Sequence, residues 1–481
     1  MSLRSRGIRT RFLAAALAVA ALLGLGCPTT AAAALPPTRE LTLPNGAKLI
    51  LAEKHDVPLI AFAAYVRGGA LADPAGKEGV ASLTAQMLRK GAGKRSAQEI
   101  AAAADGAGAL LYTGANVELT WVAGEFLARD QRLMIELLSD ILRRPSFPDS
   151  EFTKLKQQSI DAVLSEKDNP NNVLSDYGRA FFLRDHPYGR PLDGDESTLA
   201  AVTRGDVLAS YRDNFGGDRL ILSVVGDFDS KRMEAALRSA FAGWARAPGP
   251  SPTVPAPHRS EGRKVLLVDK PDATQSYFWI GNLGIGRTDP DRDAVDLANT
   301  GFGGRFTSIL NSALRINSGL TYGARCNIGR YLNPGALAIT SYTKTESTQR
   351  AVDLAIKTLG AFRSSGLDST AVLSVKSYLA GLYPTGLETS DQIAHRLAEL
   401  ALYGLSQEEL TGYIDRIRKV DGGKLLQVIR RVYPDSKDLT IVLIGNAAAI
   451  RATAKRYGPV VEARFDQPLM SAIRSASSRA R

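Results

Sequence analysis

Cysteine is nearly absent: the 481 residues hold two, Cys27 and Cys326. Cys27 falls in an N-terminal segment that reads as removable, which leaves Cys326 alone and excludes an intramolecular disulfide. Histidine is scarce as well. His55, His186, His258 and His395 are scattered and no two are four apart, which argues against a zinc site built mainly of imidazole. Beyond the first residues no apolar run is long enough to span a bilayer. Trp121, Trp244 and Trp279 are irregularly spaced and form no stacking platform, and no basic run is interleaved with aromatics. The formal charge of +11 therefore does not point to nucleic acid. Part of it sits at the ends: Arg4, Arg6, Arg9 and Arg11 at the start, Arg474, Arg479 and Arg481 in a Ser/Ala-rich stretch at the finish.

The apolar content, 44%, is that of a globular protein, and the length exceeds what one core of ordinary size needs. Residues 1–34 carry four arginines, an apolar run over 12–26 and an alanine patch before Leu35-Pro36-Pro37. That order is a secretory signal, and the expected location is the periplasm. Two fates are open for it. Cleavage near Ala34 is one. Acylation of Cys27, which ends a weak lipoprotein-like box Gly24-Leu25-Gly26-Cys27, is the other and leaves the protein anchored to a membrane.

The mature chain reads as two α+β halves. In the first, strands are expected at 48–52, 59–66 and 220–225 and helices at 79–90, 130–142, 149–167 and 230–241. Ser96 and Glu99 have the spacing of a capping box before another helix. Residues 246–262 contain Pro248, Pro250, Pro252, Pro255 and Pro257, a stiff linker without N–H donors. The pattern then restarts: 264–268 matches 48–52, 275–280 echoes 59–66, 293–302 is helical as 79–90 is, and 439–444 echoes 220–225. The expected domains are 38–245 and 263–465, each a mixed or antiparallel sheet with helices packed on one face, followed by a flexible tail at 466–481.

Several motifs in order carry a resemblance. Leu43-Pro44-Asn45-Gly46 opens the first half. Gly68-Gly69 with Asp73, the segment 79–91, Asp168-Asn169-Pro170, His186-Pro187-Tyr188-Gly189 and Val225-Gly226-Asp227 follow. The most specific stretch is in the second half, from Gly303-Gly304-Arg305-Phe306 through Leu314-Arg315 to Gly319-Leu320-Thr321-Tyr322-Gly323. From residue 39 to about 461 the chain resembles the pitrilysin or insulinase-like (M16) zinc peptidases, in their short bacterial form. The resemblance implies two homologous domains forming half of a clamshell.

The zinc chemistry of that family does not carry over. Its helix bears a His-x-x-Glu-His set; the matching positions here are Ser82, Ala85 and Gln86. Counting back from Asp168-Asn169-Pro170 puts the family's third ligand, a glutamate, at Ala162. Asp161 points about 100° away around a helix, and Glu166 lies roughly 6 Å further along it. A metal is not expected in this chain. The resemblance assigns substrate-facing roles to Arg315 and Tyr322, which reach toward an active site from the second domain. It implies a non-catalytic, substrate-binding subunit of a heterodimeric zinc metallopeptidase, whose partner is a homologous chain with intact His-x-x-Glu-His and whose substrates are peptides or unfolded polypeptides. The alternative is a non-enzymatic M16-like protein that binds peptides or organises a complex.

Other features read as structural. His186 precedes a turn set by Pro187 and Gly189, His55 sits in an exposed polar turn, and His395 lies on a polar helix face near a carboxylate. Cys326 is expected to be a small buried apolar residue. Gly303-Gly304 lacks a phosphate-binding continuation and reads as a turn and helix start before Phe306.

Overall fold

The structure, a computed structural model, describes residues 35–478; the signal-like segment with Cys27 and the last three residues lie outside them. The strands are β1 (Thr38–Thr42), β2 (Lys48–Glu53), β3 (Leu59–Arg67), the two-residue pair β4 (Gly91–Ala92) and β5 (Arg95–Ser96), β6 (Leu110–Ala115), β7 (Leu119–Leu127), β8 (Leu220–Gly226), β9 (Lys264–Asp269), β10 (Gln275–Leu283), β11 (Ala324–Arg330), β12 (Pro334–Lys344), β13 (Thr440–Gly445) and β14 (Val460–Arg464). The helices that matter below are α1 (Val80–Met87), α2 (Asp149–Glu166), α3 (Pro170–Leu183), α4 (Arg292–Asn299), α5 (Ser390–Tyr403) and α6 (Leu469–Ser478).

The duplication expected from element order is present in the sheets. The first runs β1–β2–β8–β3–β7–β6 and the second, in the same sense, β14–β9–β13–β10–β12–β11. In each, one inner pair is parallel, β2 with β8 and β9 with β13, and the next three pairings are antiparallel. The copies differ at one edge. β1 precedes β2 and pairs antiparallel with it, whereas β14 comes last and pairs parallel with β9.

The central strands read as nearly continuous apolar runs because both faces of each sheet are covered. Residues 60–66 of β3 are all buried. On one face each half packs its own helices, giving a core around Leu51, Phe62, Val224 and Met134 in the first half and a matching one around Leu267, Phe278, Ile441 and Phe302 in the second. The opposite faces are covered by exchange. Helix α3 of the first half lays Leu174, Tyr177 and Phe181 on the second sheet, against Leu266, Trp279 and Val442. Burying each such side chain contributes about 1.5–3 kcal/mol. Gly178 makes the approach close: a Cβ there would stand 2.6 Å from the Trp279 ring.

In return, α5 of the second half lies on β3 and β8 of the first sheet. Arg67 on β3 donates to the carbonyls of Leu402 (2.7 Å) and Ala401 (3.1 Å), satisfying the open C-terminal end of α5. Tyr65 Oη lies 2.8 Å from His395 Nδ1. Glu118, buried at the start of β7, ties three elements together. Its carboxylate accepts from Tyr188 Oη (2.7 Å), Tyr403 Oη (2.9 Å) and the Leu332 N–H (2.9 Å). A buried carboxylate is tolerated there because its lone pairs are used.

The proline-rich segment 246–262 has no helix or strand, and it is held along its length. Pro255 O lies 2.8 Å from His186 Nε2, and Val254 O accepts from Asn333 Nδ2 at 2.9 Å. His186 Nδ1 accepts from the Tyr188 N–H at 3.1 Å, so Nε2 carries the proton and donates to Pro255.

The C-terminal expectation needs correcting. Residues 469–478 do not form a flexible tail. They form α6, with Leu469, Ala472, Ile473 and Ala476 buried beside α3. Those positions follow i, i+3, i+4, i+7, an amphipathic stripe that the Ser/Ala/Arg composition hides.

Removing the buried node should separate packing from polar satisfaction. Glu118→Ala leaves two phenols and one amide without their acceptor. It should lower the unfolding free energy by about 2–4 kcal/mol, read from urea midpoints. An unchanged midpoint would show that water replaces the carboxylate.

Candidate functional site

Helix α1 begins where the backbone demands it. Gly79 has φ +101°, and a Cβ there would stand 2.9 Å from both Asp193 O and Leu199 Cδ2. Asp73 closes the helix N-terminus, accepting from the N–H groups of Gly79 (2.9 Å) and Ala81 (2.8 Å). Burial pushes the Asp73 carboxyl up to about 7, against the pull of those two donors.

The four positions matched to the zinc set are arranged as follows. Ser82 and Gln86, one turn apart, share a face: Gln86 Nε2 donates to Ser82 Oγ (3.3 Å), and Ser82 Oγ donates to Asp193 (2.6 Å). Ala85 is fully buried beneath them, and Ala162 is exposed on α2. Asp161 points elsewhere and accepts from Gln157 at 2.9 Å. Glu166 stands nearer: its carboxyl is raised by burial and then by the charges of Asp176 and Asp193. Asp193 is engaged by Ser82, and Asp176 by Arg179. A hydroxyl, an amide and two methyl groups do not fit the zinc that the resemblance implies, which takes imidazole, thiolate or carboxylate. Among the described residues no three His, Cys, Asp or Glu side chains are grouped to hold a metal.

Arg315 and Tyr322 stand together at a different place. After α4 the chain widens into a π-helical turn, Thr300–Gly304, then extends at Arg305. Gly303-Gly304 therefore close a helical run, and the next short helix, Ile309–Asn311, is capped by Ser308. A second π-helical turn, Ser312–Asn317, carries Arg315. Such turns are uncommon and recur at functional sites. Gly319, at φ +62°, reverses the chain toward Tyr322.

The backbone around Tyr322 is pinned from below. Thr343 Oγ1 donates to Leu320 O (2.6 Å) and Ser341 Oγ to Gly323 O (2.9 Å). Asn311 joins the two sides, donating to Phe306 O (2.7 Å) and accepting from the Ala324 N–H (3.1 Å). On this fixed base the Tyr322 side chain is 78% exposed and that of Phe306 is 60% exposed. The Arg315 guanidinium lies between them, 4.7 Å from the Phe306 ring centroid and 5.3 Å from that of Tyr322. Among the described residues no carboxylate pairs with it.

These groups line a pocket of about 310 Å³ that also takes in Arg305, Arg325 and Asn327. Every lining residue comes from 303–327, so Ser82 and Gln86 take no part in it. The most spacious cavity described, about 720 Å³ and bordered by Arg132, Glu136 and Arg144, touches neither set. Sequence reading missed Phe306, Arg305 and Arg325 as pocket residues. The signal for Arg325 was its strand parity, since β11 alternates buried Ala324 and Cys326 with exposed Arg325 and Asn327. Cys326 is a core residue, and burial raises its thiol pKa, which makes it a poor nucleophile.

The Asp73 shift has a measurable sign. Its carboxyl binds a proton more tightly in the folded chain than in the unfolded one. The stability it contributes is therefore greatest below about pH 4 and is lost as the pH rises through 7. Compared with Asp73→Asn, which cannot titrate, the native chain should lose relative stability across that window and none above it. Urea midpoints at several pH values measure this, and a constant difference would show that Asp73 titrates normally.

Two family descriptions match the chain: "Insulinase (Peptidase family M16)" over residues 48–196 and "Peptidase M16 inactive domain" over 201–379. An uncharacterized zinc protease of Mycobacterium leprae is 24% identical over 422 residues, covering 87% of this chain and 90% of that protein. The mitochondrial-processing peptidase subunit beta of Saccharomyces cerevisiae is 22% identical over 446 residues, covering 88% and 94%. The fold is shared with the peptidase M16 inactive domain from Pseudomonas fluorescens, at TM-score 0.79 and 22% identity over 85% of this chain and 98% of that one. A protease from Helicobacter pylori superposes at TM-score 0.78 and 17% identity, over 86% and 100%. The two family matches together span more than half of the sequence, and this chain belongs to peptidase family M16.

Proposed function

We propose that this chain is the non-catalytic, substrate-binding subunit of a heterodimeric periplasmic zinc metallopeptidase that hydrolyses peptides. A second M16 chain with intact His-x-x-Glu-His holds the metal, its water and the general base. This chain supplies Arg315 and Tyr322. The observation that carries the reading is an asymmetry between the halves. The first half has no metal-binding donors at the family positions, whereas the second presents Arg315 and Tyr322 at an open pocket, stacked on each other and, among the described residues, without an ion pair or side-chain hydrogen bond.

The chemistry of the pair suits peptide hydrolysis. The Tyr322 hydroxyl is free to donate to a carbonyl oxygen as it gains negative charge. Arg315, held by its two aromatic neighbours, is free to grip a backbone carbonyl or a carboxylate. That neither residue contacts the Ser82 helix supports a target outside this chain. Relatives named as zinc proteases, and one named as a subunit of a processing peptidase, support the same reading. The signal-like segment at residues 1–34 supports the periplasm, with attachment to the membrane if Cys27 is acylated.

Co-expression with an M16 chain that retains the zinc motif tests the reading. A 1:1 complex should form and hydrolyse unfolded polypeptide, lose activity to a chelator, and show none when this chain is alone. Tyr322→Phe should lower kcat by about a hundredfold while the complex still forms. Full activity from the partner alone, or equal rates for the variant and the native chain, would sink the shared site. A stable but inactive complex would favour a non-enzymatic M16-like role in binding peptides or organising a complex.

A further inference from the structure

The pocket beside Arg315 and Tyr322 has a charge composition that the shared-site reading does not require. Three guanidinium groups line it, those of Arg305, Arg315 and Arg325, and among the described residues no aspartate or glutamate does. The contrast within the same half is direct. A second cavity of about 300 Å³ is lined by five arginines, each matched to a carboxylate, for example Arg287 with Glu399 and Arg330 with Asp296, both at 2.6 Å. Where this fold gathers arginines for structure, it supplies their counter-charges. Around Arg315 it does not. Like charges collected without a partner raise the local potential, and a bound anion relieves it.

The three cations are held in different ways. Arg305 is tethered, donating to Ser374 O (3.4 Å) and Ser374 Oγ (3.2 Å) with its guanidinium over the Tyr378 ring, so it contributes field more than free donors. Arg315 is stacked against Phe306 and Tyr322. A guanidinium stacked by its face keeps its N–H fork free in its own plane. Arg325 is exposed on β11, on the same strand face as Asn327, and has no ion pair or ring contact among the described residues. Two free planar forks, an amide and two exposed aromatic rings fit a carboxylate carried by a peptide. A backbone cradle for phosphate is not offered here, since the nearby short helix already has Ser308 capping its N-terminus.

We infer that this pocket is a carboxylate-binding subsite, in which Arg325 together with Arg315 selects peptides bearing either an acidic side chain or a free C-terminus. The inference rests on the substrate-binding reading above and names its substrate class. Arg325 is then a specificity-determining residue.

The test is equilibrium binding of labelled peptides to the purified chain without any partner. Three otherwise neutral peptides are compared: one with an internal glutamate and an amidated end, one with a free C-terminal carboxylate, and one amidated with neither. One of the first two should bind about tenfold more tightly than the third, and which of them does so identifies the source of the carboxylate. The advantage should shrink toward 1 M salt, where the Debye length falls to about 3 Å. Arg325→Gln should abolish the advantage without lowering Tm, and Arg325→Lys, which keeps the charge and loses the fork, should retain part of it. Equal binding of all three peptides, binding of none, or an Arg325→Gln chain that discriminates as before would overturn the inference. The two readings fail separately. A chain that selects carboxylates but gives an inactive complex keeps the subsite and loses the shared reaction. An active complex indifferent to carboxylates does the reverse.

Discussion

Each sheet of this protein has two apolar faces, one covered by helices of its own half and the other by a helix of the opposite half. That constraint governs the rest. Helix α3 leaves the first half to bury the second sheet, and α5 leaves the second half to bury the first. Because the faces are covered reciprocally, the halves fold against each other as one body in spite of their repeated topology. Polar groups at the seam follow the same logic. Arg67 closes the end of α5, and Glu118 collects two phenols and an amide from three parts of the chain.

A packed seam lets the two halves differ in chemistry while sharing a fold. In the first half the helix Val80–Met87 has a capping aspartate, a left-handed glycine and a place against the sheet, while the positions that the resemblance matches to metal ligands hold Ser82, Ala85 and Gln86. Those replacements are at ease: Ser82 and Gln86 are hydrogen-bonded and Ala85 is packed. In the second half the expense runs the other way. Two π-helical turns, an exposed phenol, an exposed phenyl ring and three arginines with no acid beside them among the described residues are features that packing alone does not favour. Their concentration at one pocket is the physical case for function there.

Much of the fold was legible in the chain. The strands at 48–53, 59–67, 220–226 and 264–269 match the apolar runs that announced them, and the Ser96–Glu99 capping box is formed. The last helix was missed because composition was weighed before period. Leu469, Ala472, Ile473 and Ala476 carry a clear helical stripe inside a Ser/Ala-rich stretch that also holds arginine. The pocket was half legible. Arg315 and Tyr322 stood out by motif, but Phe306 was taken as a neighbour of a helix start, and Arg325 was not singled out. The exchange of α3 and α5 left no mark in periodicity, since an apolar face reads the same whichever half covers it.

By itself the sequence determined the family and the repeat of strand and helix order, because each of these is a matter of which residue stands at which position. Tertiary structure alone decided which half covers which sheet, that a carboxylate at Glu118 meets Tyr188 and Tyr403, and that Arg305, Arg315 and Arg325 converge on one pocket. The reason is physical. Periodicity records how much of an element turns away from water, whereas the partner it turns toward, and the charges left unpaired when it does, are set by contacts between residues far apart in the chain.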